Sequence, residues 1–329
     1  MNNPTNEHGK AMNMLALATL FWGLSFPVMK ALGQIQQQLL PDTSSWFGTA
    51  FFNALRFGIA ALLLALFTFR SLNKISHSEL WQGSILGLFG GIGIILQMDG
   101  LNYTTASTSA FLTQAYCIVL PIILAVRNKS WPSLELLMAC LLVVIGIVIL
   151  SDINLKTFRL GRGETETLLG SMVFAAQILW LERPVFRQNN VLHFSLIMFV
   201  AIALVGIVAI LFTMRSWAEP LILLRSPSVH ILIGQLVIFC TLIAYVMMNY
   251  WQPKVSSAEA GLIYCVEPVF ASLFALFLPT YFGRWFGVNY VNELLTPSLL
   301  WGGGLILVAN ILLQFNCARS SKTPVKCES

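Results

Sequence analysis

Within the apolar run LIYCVEPVF, residues 262–270, Glu267 stands directly before Pro268. A carboxyl group inside a hydrophobic segment is costly to bury and points by default to function. Pro268 lacks an N–H and disfavours helical geometry at the residue before it, so a kinked or broken helix is predicted here. A break frees backbone carbonyls, which together with a carboxylate can receive a proton or a substrate amine. Burial and a neighbouring cation act in opposite senses on the proton affinity of such a group, which makes Glu267 a candidate proton-coupling site. The alternative is a permanent ion pair that only fixes packing.

Arg56 is the natural counter-charge, set in a second apolar run ten residues after Trp46. Its planar fork suits a substrate carboxylate. Interfacial snorkelling, or pairing with Glu267 or Asp99, is the alternative. Trp22, Gln97, Gln114, Tyr116, Gln177, Trp180 and Tyr264 are amphipathic groups within separate apolar runs. Together they could line a cavity and orient a ligand, although each alone also suits interhelical packing. Tyr264 is favoured, because the i, i+3 spacing puts it on nearly the same helix face as Glu267. Lys30, at the end of the first run, is expected to snorkel.

Other chemistries find little support. The stretch GRGETETLLG, residues 161–170, lacks the GK[ST] ending of a phosphate loop. Glu164 and Glu166 there are expected to complement a helix dipole. The four histidines are scattered, no H-E-x-x-H occurs, and the six cysteines show no zinc-binding spacing. An intramembrane hydrolase would need a nucleophile with its base or paired aspartates, and Asp99 has no aspartate partner. No metal and no cofactor are expected. The net charge of +5 is spread over single residues and pairs rather than a stripe, so nucleic acid is not an expected partner.

The elements that must position these residues follow from composition. Charged residues make up 10% of the 329 and hydrophobic residues 57%, against about 25% charged in an average soluble domain. The bilayer is the expected solvent for most of the chain. A crossing helix needs about 20 apolar residues. Ten spans are predicted: 12–33, 46–69, 79–101, 105–127, 132–151, 165–186, 190–213, 229–250, 256–280 and 297–315. On this register Glu267 lies about eight residues, or roughly 12 Å, from Glu259 near the inner end of its span. The first span is too long for a signal-peptide core, so cleavage is not expected. Of the 19 lysines and arginines, eleven fall on the N-terminal side of the membrane and six on the other. The excess places both termini in the cytoplasm.

TSAFLTQAYCIVLPIILAV (108–126) and AEAGLIYCVEPVFASLFAL (258–276) share small residues, a Tyr-Cys pair and a proline. Each leads to a glycine-containing final span, so two five-helix repeats are expected. An odd number of crossings forces the repeats into opposite senses, a recurring build around a midplane site. Gly83, Gly87 and Gly91, and likewise Ala50, Ala54 and Gly58, recur every four residues and predict close helix packing in lipid.

LALATLFWGLSFPVMKAL, ALRFGIAALLL and SSAEAGLIYCVEPVFASLFALFL resemble the EamA-type family of the drug/metabolite transporter superfamily. NELLTPSLLWGGGLILVANILL resembles that family's last helix, with Glu293 in the place of its preceding glutamate. The resemblance covers roughly residues 12–315 and implies an all-α membrane protein. Ten transmembrane helices would form two inverted five-helix repeats around a central cavity. The expected layout is a tail (1–11), a first repeat (12–151), an external loop (152–164), a second repeat (165–315) and a tail (316–329). The resemblance also implies a secondary transporter, by expectation an exporter, of a small organic metabolite such as an amino acid or a related compound. The expected partners are that metabolite, the lipid bilayer and protons as coupling ion, in a cytoplasmic (inner) membrane. Alternatives are an uncoupled facilitator or channel, and an intramembrane enzyme or lipid-handling protein. RNKSWPSLELL (127–137) departs from the family's Gly-Glu before the fifth helix, and residues 279–296 form a longer aromatic loop.

Overall fold

A computed structural model describes residues 4–127, 134–150, 160–181, 183–255, 260 and 263–322. Among these the chain is helical, without a strand. Six helices are long and apolar enough to cross a membrane, and three shorter apolar helices accompany them. With so much lipid-compatible surface, the chain is a multi-pass membrane protein.

α1 (Pro4–Leu39), α2 (Ser45–Thr68) and α3 (His77–Leu101) cover the first three predicted spans. α1 runs well past the predicted end, so Lys30 lies inside a helix and does not snorkel. Its ammonium donates to the carbonyl of Thr104 instead. α3 opens on a capping box in which Ser76 and Glu79 satisfy each other's backbone N–H.

The predicted span 105–127 is two helices, α4 (Ala106–Thr113) and α5 (Tyr116–Arg127), separated at Gln114–Ala115. No proline sits at this break, so the sequence pattern concealed it. α6 (Leu134–Leu150), α7 (Arg162–Leu181) and α8 (Val191–Thr213) follow. An additional short helix, α9 (Ala218–Leu224), occupies the stretch read as a loop. The next crossing comprises α10 (Pro227–Gln235), a π-helical segment (Leu236–Ile243) and α11 (Ala244–Trp251).

The start of the predicted span 256–280, including Glu259, lies outside the described residues, as do most of loop 152–164 and residues 323–329. Beyond a turn at Cys265–Val266, α12 (Glu267–Phe286) begins with Glu267 and Pro268 in its first turn. α12 ends at Gly287, whose φ of 66° is left-handed and suits glycine. α13 (Pro297–Lys322) closes the fold.

α3 packs between α7 and α8, α8 also packs on α2, α1 on α12, and α6 on α13. Both predicted small-residue ridges face α8. A Cβ at Gly87 would fall 2.6 Å from the Met198 carbonyl, and one at Gly206 would fall 2.9 Å from the carbonyl of Ala50. Small side chains thus set the close approach of these helices.

Candidate functional site

Glu267 is buried at the first turn of α12, and Gln114, at the α4–α5 break, donates to its carboxylate at 3.2 Å. Two helix breaks, one from each half of the chain, therefore face each other. Cys117 and Cys265, beside these breaks, belong to one buried cluster.

Arg56 reaches the same region from α2. Its Nε donates to Thr241 Oγ1 at 2.6 Å and its Nη2 to the carbonyl of Cys240 at 3.0 Å. Both acceptors lie in the π-helical segment. A π turn displaces a carbonyl from the i→i−4 ladder, and here the guanidinium takes it up. Nη1 lies 3.7 Å from the sulfur of Met29. Arg56 pairs with neither Glu267 nor Asp99, and among the described residues it has no carboxylate partner. Asp99 is engaged elsewhere: Arg162 Nη2 contacts its carboxylate at 2.6 Å.

A cavity of about 270 Å³ joins these groups. Arg56, Glu267, Tyr264, Trp22, Gln97, Gln177 and Tyr116 all line it. Trp22 contributes through a stripe on α1 formed with Ser25, Phe26 and Met29, at i, i+3, i+4 and i+7. Its ring meets those of Tyr245 and Tyr264 at centroid distances of 5.5 and 5.7 Å. Gln97 donates to Thr113 at 2.8 Å and Gln177 to the carbonyl of Leu86 at 3.1 Å, so each amide also ties two helices together. The Tyr264 hydroxyl donates to Gln252 at 2.9 Å.

Two predicted residues stand off the wall. Gln114 lies behind it, acting on Glu267. Trp180 falls outside the stripe that Phe174, Gln177, Ile178 and Leu181 present to the cavity. It packs on Trp81 and Phe186, with the Arg183 guanidinium 4.1 Å over its ring. Tyr245, Asn249 and Gln252 line the cavity but escaped the sequence reading. Their i, i+4, i+7 spacing in YVMMNYWQ was the available signal. The π-helical acceptors of Arg56 left no such trace.

The cavity reaches toward the end of the bundle that holds Leu181, Met248 and Gln252. The N-terminus lies at that end too, where Lys254 pairs with Glu7 at 2.8 Å. A polar clasp fills the opposite end. Arg162 bridges Asp99 and Glu166 at 2.6 and 2.7 Å, and its guanidinium lies 4.0 Å over the Tyr103 ring. Glu166 therefore serves an ion pair, beyond the dipole role expected of it. Glu164 accepts from Thr104, and Glu293 accepts from the N–H groups of Ala106 and Ser107 at 2.6 and 3.2 Å. Glu293 thus supplies a capping carboxylate to α4 from nearly two hundred residues away.

Residues 9–152 match the model of the EamA-like transporter family. An uncharacterized transporter of Archaeoglobus fulgidus is 27% identical over 300 residues, covering 91% of this chain and 84% of the relative. A second uncharacterized transporter of that organism is 27% identical over 316 residues, covering 93% and 97%. One protein of known crystal structure superposes with a TM-score of 0.55 at 15% identity, over 93% of this chain and 99% of that one.

Proposed function

From the EamA-like character of residues 9–152, we propose that this membrane transporter is a secondary carrier working by alternating access. Its cargo is a small zwitterionic metabolite, an amino acid or a close relative. One observation carries the cargo class: a buried guanidinium, without a carboxylate partner among the described residues, and a buried carboxyl group line one cavity with an aromatic wall. Arg56 would receive the carboxylate of the cargo, Glu267 its amine, and the rings of Trp22 and Tyr264 would flank the cation. Buried charges need partners, and a zwitterion supplies both at once.

Two inverted five-helix repeats, 12–151 and 165–315, flanked by the tails and joined by loop 152–164, account for the packing. Under that pairing several of the main contacts have a counterpart. α2 on α8 and α6 on α13 map onto themselves, α3 on α7 maps onto α11 on α1, and α5 on α7 maps onto α12 on α1. The breaks at Gln114–Ala115 and Cys265–Val266 are counterparts too. The polar clasp closes the outer end while the cavity faces the cytoplasm, the end of both termini in a cytoplasmic membrane. Outward transport fits a site loaded from that side, and Glu267 would carry the coupled proton.

A thermal-shift screen of the detergent-purified chain tests the cargo class. Amino acids are compared with their N-acetyl and amide derivatives, on the native chain and on Glu267→Gln. A ligand at one hundred times its Kd stabilises the folded state by about 2.7 kcal/mol. The expected result is a shift with free amino acids that both derivatives and the variant lose. Equal shifts with N-acetyl derivatives would exclude the amine role of Glu267.

A further inference from the structure

We propose that Cys117 and Cys265 form a dithiol site between the two halves of the chain, fit for a thiophilic ligand that two sulfurs satisfy. The ligand class is a trivalent arsenical or a soft, two-coordinate metal ion. Cys117 lies one residue into α5 and Cys265 in the turn before α12, so each sits beside a helix break. The two side chains share one buried cluster with Tyr116 and Ala175. Neither forms a disulfide.

Access and fit favour such a ligand. Cys117 is part of the cavity wall, and its thiol donates to Gln114 Oε1 at 3.5 Å, so a small neutral reagent entering the cavity comes up against this residue. Cys265 is fully buried, in a turn rather than a helix. No group of three or more metal-ligating side chains occurs among the described residues, which directs the site to ligands content with two sulfurs. Soft thiolate donors select soft metals such as Cu(I). With an arsenoxide, arsenic forms two As–S bonds, and its oxygen leaves as water with the two thiol protons. No oxidation state changes. The chelate would tie both helix breaks together.

Phenylarsine oxide on the full-length chain in detergent is the test, and it stands apart from the transport reading because no cargo is involved. The parent carries Cys317→Ser and Cys327→Ser, which removes the C-terminal cysteines. One arsenical per chain should consume two thiols, resist washing with a monothiol and be released by a dithiol. Either Cys117→Ser or Cys265→Ser should lower the retained arsenic at least ten-fold, whereas Cys140→Ser should leave it unchanged. Peptide mapping of the parent adduct needs no further variant and covers the case of a misfolded one. A bridge between the Cys117 and Cys265 peptides supports the site; a bridge between other cysteines, or no retained arsenic, overturns it.

Discussion

Arg56 illustrates how a buried charge is kept in a bilayer without a counter-ion among the described residues. Its Nε and Nη2 are satisfied by Thr241 and the Cys240 carbonyl, Nη1 rests on the weak acceptor Met29 Sδ, and the side chain lines the cavity. Hydrogen bonds to charged groups contribute about 1.5–3 kcal/mol each. Thr241→Val removes one of them and should destabilise the protein by that order, seen as a lower melting temperature without loss of the cavity ligand. Arg56→Lys keeps the charge but not the fork. Affinity for a carboxylate-bearing ligand is expected to fall at least ten-fold in that variant, measured by titration calorimetry; unchanged affinity would remove Arg56 from the site. Glu267→Gln keeps the shape and cannot exchange a proton. Ligand binding should vary with pH in the native chain, and whatever weak binding remains in this variant at high ligand concentration should be flat across the same range.

At the scale of elements, small residues and broken helices do different work. Glycines let α3 approach α8 closely, while the breaks at Gln114–Ala115 and Cys265–Val266 set polar side chains against one another. Gly87→Ala tests the first. Its Cβ would run into the Ala201 Cβ and fall 2.6 Å from the Met198 carbonyl, and overpacking costs about 1–3 kcal/mol. Alanine recovers up to about 1 kcal/mol of helix propensity, so a net loss is expected. Gly304→Ala is the control. Nothing lies within 4 Å of a Cβ there, so the propensity term stands alone and the melting temperature should rise. The two substitutions should therefore shift thermal unfolding in opposite directions.

For the whole molecule, the cavity lies toward one end and the Arg162 clasp toward the other. Asp99 is fully buried while Arg162 is 43% exposed. Removing Arg162 strands a buried carboxylate, and breaking a buried pair in this way costs about 3–5 kcal/mol, with the exposed partner placing this case at the low end. That loss falls only on arrangements in which the clasp is closed. Arg162→Ala should therefore shift the population toward states open at the clasp end. The measurement is labelling of Gln97→Cys by a membrane-impermeant maleimide added from that side, with and without Arg162→Ala. Faster labelling is expected with the second substitution; an equal rate would show that the clasp does not hold the end shut.

The sequence by itself determined the solvent and the rough positions of the helices, because apolar run length is a local property matched to the bilayer. It also marked Glu267, because a carboxylate next to proline stands out against an apolar background. The i, i+3, i+4 stripe of Trp22 and the polar stripe through Tyr245, Asn249 and Gln252 were legible in principle for the same reason. Tertiary structure decided the rest. Only packing turned Trp180 off the cavity and onto Trp81, since depth in a helix says nothing about the face presented to a neighbour. Only the π-helical segment let Arg56 find a backbone carbonyl in place of a carboxylate, and no residue within 236–243 announces that turn. The α4–α5 break lacks a proline, and Glu293 caps α4 from a loop almost two hundred residues away. Such pairings depend on which groups the fold brings together, and separation along the chain carries no record of them.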